Sequence, residues 1–248
     1  MPTLPLALPP PAPVAGADGC RSGWAVVRIE PDGSAALRLV SRLADALDPD
    51  LATLAVDIPV GLLDRARRGG RLCDQAARAR LPGKASSVFS PPSRAALAAE
   101  THAEASALNR AGGPDAPGLS IQAFGIVPKL READALVTPA LQEARRVVEA
   151  HPEVAFAKLN GGRPALEKKK RTAGKEIRYG LLVQAGFRSE DLDAALGAHR
   201  KRDVPTDDIL DAFACAWTAA RVAAGTACRL PSDDPPRDGR GLRMEIWV

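Results

Sequence analysis

Residues 51–59, Leu-Ala-Thr-Leu-Ala-Val-Asp-Ile-Pro, form a nearly continuous apolar run with an acid near its end. No window of the chain approaches the ~18 uninterrupted apolar residues of a membrane span. A short run of this kind reads as a strand buried on both faces, which points to parallel strands covered by helices. Arg145 to Ala150 reads as a second strand of the same kind. Asp57 is the anomaly in the first run, because aspartate is a poor residue for a buried strand.

Upstream, Val14 to Glu30 reads as a strand, a glycine turn and a second strand. Pro31-Asp32-Gly33 is a hairpin signal, and Ala35 to Val40 makes a third strand. A short helix is expected over 41–47. Residues 64–112 look helical with basic faces, Pro128 starts a further helix, and helices are expected over 174–185 and 189–199. Thr206 is the expected N-cap of a long C-terminal helix. Leu242 to Val248 suits a short edge strand. An antiparallel meander followed by parallel strands is the order of a ribonuclease H-like mixed sheet, here with a helical insertion at about 64–140. The expected organisation is one α/β domain over 14–248. Residues 1–13 hold six prolines and no charged side chain, and are expected to be a disordered tail. They lack the basic and apolar regions of a secretory signal, so a cytoplasmic location is expected.

The chain carries a net charge of +4, unevenly laid out. Residues 64–94 and 158–180 are strongly basic, and the remainder is acidic. Two basic belts suggest a polyanionic partner. Lys168, Lys169, Lys170, Arg171 and Lys175 crowd together with no acid among them. The four cysteines never form a C-x-x-C pair, and the three histidines show no metal-site spacing. Any metal would therefore be held by oxygen. Neither a phosphate-binding G-x-x-x-x-G-K-[ST] loop nor G-x-G-x-x-G after a strand is present. Aromatic residues are only 4% of the chain, which argues against a stacking platform for single-stranded nucleic acid.

The acids fall at strand ends and at one helix start. Asp18 closes the first strand, and Asp57 closes the buried run. Glu149 and Glu153 flank His151-Pro152. Asp207, Asp208 and Asp211 open the last helix, with Asp208 and Asp211 on one face. Converging carboxylates repel one another unless a cation neutralises them. Mg²⁺ or Mn²⁺ suits such an oxygen-only set. A cysteine–histidine pairing of Cys20 with His151 is a weaker alternative.

Several blocks occur together and in order: A-D-G-C-R-S-G-W, V-D-I-P-V-G-L, R-x-C-D-x-x-A-R, S-S-V-F-S-P-P-S-R, Q-A-F-G-I-x-P-K-L-R-E, E-A-H-P-E-V-A-F, K-K-K-R-T-A-G-K-x-x-R and D-D-I-L-D-A-F-A-C-A-W. Together they resemble the predicted ribonuclease H-like nuclease family, catalogued as a domain of unknown function. The resemblance runs from Val14 to the C-terminus. It implies a ribonuclease H-like fold with catalytic acids at Asp18, Asp57, Glu149 or Glu153, Asp208 and Asp211. Of these, Asp18, Asp57, Glu149, Asp208 and Asp211 are the expected metal ligands. The matched blocks also point to substrate contacts at Arg71, Cys73, Asp74 and Arg78, at Ser86, Ser87, Phe89 and Arg94, and at Gln122, Phe124, Lys129 and Arg131. Lys168, Lys169, Lys170 and Lys175 are the expected phosphate contacts.

The resulting expectation is a Mg²⁺- or Mn²⁺-dependent phosphodiester hydrolase acting on nucleic acid, with no membrane partner. Two rivals come from other classes. One is a nucleotide-dependent phosphotransferase of related fold, for which the chain looks too short. The other is a non-catalytic polyanion-binding module, which would bind equally well in EDTA.

Overall fold

A computed structural model describes residues 8–248. Strands β1 (Val14–Cys20), β2 (Gly23–Ile29) and β3 (Ala35–Val40) form the antiparallel meander. Strands β4 (Thr53–Val56) and β5 (Val147–Glu149) add to its other side in parallel, giving one mixed sheet in the order β3-β2-β1-β4-β5. All four residues of β4 are buried, as an apolar run without alternation requires. A two-stranded ribbon of β6 (Arg229–Leu230) and β7 (Ile246–Trp247) continues the sheet through a single bridge from Ala150 to Trp247.

Between β4 and β5 lie α1 (Leu72–Ala79), α2 (His102–Arg110), α3 (Ile121–Gly125), α4 (Val127–Leu136) and α5 (Pro139–Glu143). After β5 come α6 (Pro152–Leu159), α7 (Thr172–Gln184), α8 (Ser189–Ala198) and α9 (Thr206–Ala223). The sheet separates two apolar cores. Val14, Ala25, Val27, Ala55 and Val148 face α6, α7, α8 and α9. Ala15, Ala17, Trp24, Leu54, Val56 and Val147 face the other way, toward α4. No helix among the described residues is long and apolar enough to cross a membrane.

The structure departs from the sequence reading at four places. Residues 64–112 are much less helical than expected; outside α1 and α2 they hold only short 3-10 turns, because Gly69, Gly70, Pro82, Gly83, Pro91 and Pro92 interrupt the pattern. Helix α6 was not expected: Pro152 sits in its first turn, where a missing N–H costs nothing, rather than ending a strand. Thr206 is not a cap but lies inside α9; Pro205 holds the extended cap position and offers no side-chain acceptor. Finally, the expected tail falls partly outside the described residues, and of the rest Leu8 is buried in the main core.

Helix α9 packs directly across β1 through Gly16. A Cβ there would lie 1.9 Å from the Ala216 nitrogen and 2.4 Å from the Ala212 oxygen, both helix backbone. No side chain can rotate away to relieve that overlap, so the helix itself would have to lift. Gly16→Ala should therefore lower unfolding free energy by about 3 kcal/mol in urea titrations. Gly180→Ala, on α7 with nothing within 4 Å, should be neutral or stabilising by up to about 1 kcal/mol. Equal stability of the two variants would mean that α9 does not rest on β1 as closely as described.

Candidate metal centre

The register of the sheet builds the site. Ala17 pairs with Val56, so the next residues, Asp18 and Asp57, stand side by side on the face that α9 covers. The Asp57 amide donates to the Ala17 carbonyl at 2.9 Å and fixes that alignment. Asp211, one turn into α9, approaches from above, and its reach depends on the close contact at Gly16. One carboxylate oxygen from each of Asp18, Asp57 and Asp211 lies within 4.8 Å of the other two. Asp18 and Asp211 are buried, and Asp57 is half-buried.

The cluster is electrostatically strained. Burial raises Asp18 well above the usual carboxylate range, and Asp57, Asp211 and Asp208 raise it further. Burial also pushes Asp57 and Asp211 up to about 6 each. Asp208, half-buried on the first turn of α9, is pushed up to about 7 by burial and then by Asp207. Among the described residues one cation answers this charge. Lys169 donates to Asp211 Oδ2 at 2.5 Å and lies 4.0 Å from Asp207. Although burial opposes it, the ammonium is held above its ordinary range by Asp211, Asp18 and Asp57. The second Asp211 oxygen, Oδ1, is buried without a hydrogen-bond partner. Three converging carboxylates with a free buried oxygen are the donor set that a hard divalent cation takes.

Glu149 and Glu153 are not brought into this set. Glu149 aligns with Val56, one residue before Asp57, so it faces the opposite side of the sheet. There Arg71 grips both its oxygens, at 2.8 and 2.6 Å, and the Val60 amide donates to it at 2.7 Å. The position on β5 that matches Asp57 is occupied by Ala150. Glu153, in the first turn of α6, lies on the correct face but is bonded to Lys84 at 2.9 Å and Arg178 at 2.6 Å. Against burial, those two cations hold it below the usual carboxylate range.

Most of the expected substrate-binding side chains are engaged inside the fold. Arg71 is buried between Glu149 and Asp74 and also donates to the Val60 and Gly61 carbonyls, so it clamps the turn after Asp57. Arg78 donates to the Gly69 and Val88 carbonyls and to Ser90 Oγ. Arg94 binds Asp134 and Asp238. Lys129 lies over Trp24 and donates to the Gly23 carbonyl. Arg131 donates to the Leu97 and Ala99 carbonyls. Cys73 and Asp74 are buried, Ser86 and Gln122 are exposed, and Phe124 packs edge-on against His102.

Two clefts open beside the triad. One of about 180 Å³ runs along Asp18, Asp57, Pro59, Phe89 and His151. The other, about 460 Å³, is bounded by Asp57, Lys84, Ser87, Phe89, His151, Glu153, Lys168, Lys169, Lys170 and Asp211. Lys168 and Lys170 are exposed at its rim, and Lys175, at the start of α7, is half-buried outside it. Sequence reading missed Lys84 and Arg178, which neutralise Glu153, and did not place His151 beside the acids. For Arg178 and His151 the only signal was their position in the shared motif blocks; Lys84 lies between two blocks and carried none. Cys20 does not pair with His151: burial raises its thiol, and the neighbour that hydrogen-bonds it is Ser22.

The result is a mixed α/β protein in which the ends of two interior strands and the facing helix carry a three-carboxylate cluster that could hold a divalent cation. Residues 16–236 match the family described as a protein of unknown function, DUF429, and the chain belongs to that family. No curated protein and no solved structure matches it.

Two measurements follow from the charge balance. Folded values of about 6 for Asp57 and Asp211 lie above the ordinary 3.8, so the folded state binds more protons than the unfolded one between those values. In chelator, the cluster's contribution to stability must fall as pH rises through that window. Asp57→Asn should be more stable than wild type by about 2 kcal/mol near pH 7.5, and the gain should vanish near pH 4. Thermal melts at both pH values check this; a constant difference would show that Asp57 carries no such strain. In the second measurement, Lys169→Gln removes the internal cation and should tighten Mn²⁺ binding about tenfold by calorimetry. An unchanged affinity would mean that the ammonium and the ion do not share the cluster.

Proposed function

We propose that the protein is a divalent-metal-dependent phosphodiester hydrolase of ribonuclease H-like fold, acting on nucleic acid. The observation that carries this reading is the meeting of Asp18, Asp57 and Asp211 beneath a cleft rimmed by Lys168 and Lys170. Acids on the first strand of a meander, on the adjacent parallel strand and on a C-terminal helix support the ribonuclease H-like assignment. Mg²⁺ or Mn²⁺ would be held by Asp18, Asp57 and Asp211, with Asp208 close by. The chemistry that such ions supply is activation of water and stabilisation of the leaving oxygen.

The chain's own groups divide the remaining work. Lys168 and Lys170 hold phosphate oxygens at the rim. Lys169 compensates the acids before substrate and metal arrive. His151 is kept neutral, because burial lowers its value. Its Nε2 lies 3.4 Å from the Ser87 carbonyl, an acceptor only, so that nitrogen carries the proton. Nδ1 is then a free acceptor, buried and without a partner, in a ring that lines both clefts.

A panel of labelled DNA, RNA and branched substrates incubated with Mn²⁺ tests the reading. Wild type should cleave at least one of them, excess EDTA should abolish cleavage, and Asp211→Asn should be inactive while still folded. Ca²⁺ should bind but support little turnover, because its longer and looser coordination positions water poorly. Cleavage that survives EDTA would refute the metal dependence. Changing Lys168 and Lys170 together to alanine should flatten the salt dependence of binding by about two units in log–log slope. An unchanged slope would remove the rim lysines from the substrate path.

A further inference from the structure

The segment from Lys84 to Ser90 lines both clefts and is held at Lys84, Ser87, Val88 and Ser90. Lys84 is paired with Glu153, and the Ser87 carbonyl faces His151. The Val88 side chain is buried, and its carbonyl accepts from Arg78 Nε at 2.8 Å. Ser90 Oγ lies 2.9 Å from another nitrogen of the same guanidinium. Arg78 itself is anchored by the Gly69 carbonyl at 2.6 Å. Between the two pinned neighbours, the phenyl ring of Phe89 is 43% exposed. No other Phe or Trp of the described residues is exposed. Leaving such a ring in water forfeits transfer free energy. Here the backbone cannot withdraw it, because Arg78 holds both sides.

The ring is also a junction. Phe89 lines the two clefts beside the triad and a third cavity of about 300 Å³. The walls of that third cavity include Arg67, Arg68, Gly69 and Asn109. Arg67 and Arg68 are exposed on a turn that ends at two glycines with positive φ, Gly69 and Gly70. A rigid aromatic face thus stands between a carboxylate cluster and a pair of guanidinium groups. A nucleotide chain has matching chemistry: a flat base between two phosphates.

We propose that Phe89 is a stacking platform for one unpaired nucleobase beside the scissile phosphate, with the next phosphate directed to the Arg67–Arg68 turn. The inference rests on the hydrolase reading and names its substrate class, a nucleic acid with at least one unstacked nucleotide. A single platform suits a loop, flap or end, because no other exposed ring is available to stack a second base. Stacking is tolerant of base identity, since every base has a π face.

Phe89→Trp places an exposed indole on the platform, while Trp24, Trp217 and Trp247 are buried. With Ca²⁺ present to limit turnover, a short single-stranded oligonucleotide should quench its emission. An abasic strand of equal length and a covalently closed duplex should not. Phe89→Ala should bind the oligonucleotide about tenfold more weakly and the abasic strand equally well. Equal quenching by abasic and ordinary strands, or an unchanged affinity of Phe89→Ala, would overturn the platform. Wild-type cleavage with Mn²⁺ separates the two readings. Cleavage without quenching rejects the platform and keeps the hydrolase; quenching without cleavage keeps a nucleic-acid subsite and rejects the hydrolase.

Discussion

Three carboxylates held within reach of one another, largely out of water, are the constraint on which the rest of the structure depends. Folding brings Asp18, Asp57 and Asp211 together because register and packing leave no alternative: β1 and β4 align in parallel, and α9 rests on β1 at Gly16. The electrostatic cost appears as carboxylates displaced upward from their ordinary range. A structural core would gain by replacing such a cluster with apolar side chains of similar size. Its presence in the middle of an otherwise apolar contact between helix and sheet is the reason to look for a ligand there.

The surrounding charges are partitioned so that most nearby cations are committed to other acids and the cluster is left poorly compensated. Arg71 is shared by Glu149 and Asp74 on the far face of the sheet. Lys84 and Arg178 are both committed to Glu153. Among the described residues Lys169 alone reaches into the triad, from a segment whose neighbours Lys168 and Lys170 remain exposed. The two basic belts of the chain therefore serve two ends. Much of the first is internal wiring: Arg71, Arg78 and Arg94 hold turns and loops through carbonyl and carboxylate contacts. The basic side chains left exposed are fewer than the charge runs suggest, and Arg67, Arg68, Lys168 and Lys170 are among those that line the clefts.

That wiring also explains how an irregular insertion can carry function. Residues 80–101 contain little regular structure, yet Arg78 fixes Val88 and Ser90, and Lys84 ties the segment to α6. Side chains presented from such a segment have defined positions without belonging to a helix or strand. Phe89 and Ser87 come to line the clefts beside the triad by this route.

Local physics made part of this protein legible in its residues. Turn chemistry and apolar alternation set the β1–β3 meander, and the unbroken apolar run set β4 as a strand covered on both faces. Asp18, Asp57 and Asp211 stood out because each breaks a local pattern: acids at the ends of buried strands and past the first turn of an apolar helix. Glu149 looked equivalent but is not, because a strand reverses face at every residue and its register against β4 is a tertiary property. One step of phase sends it to Arg71 instead of to the three-carboxylate cluster. The roles of Arg71, Arg78, Lys84, Lys169 and Arg178 were likewise hidden. A basic side chain in a run of basic residues carries no mark of whether it will meet solvent, a carbonyl or an acid brought from a distant segment of the chain. Long-range packing decided that, since the energy of a charge depends on its burial and its partners, and neither exists until the chain has folded.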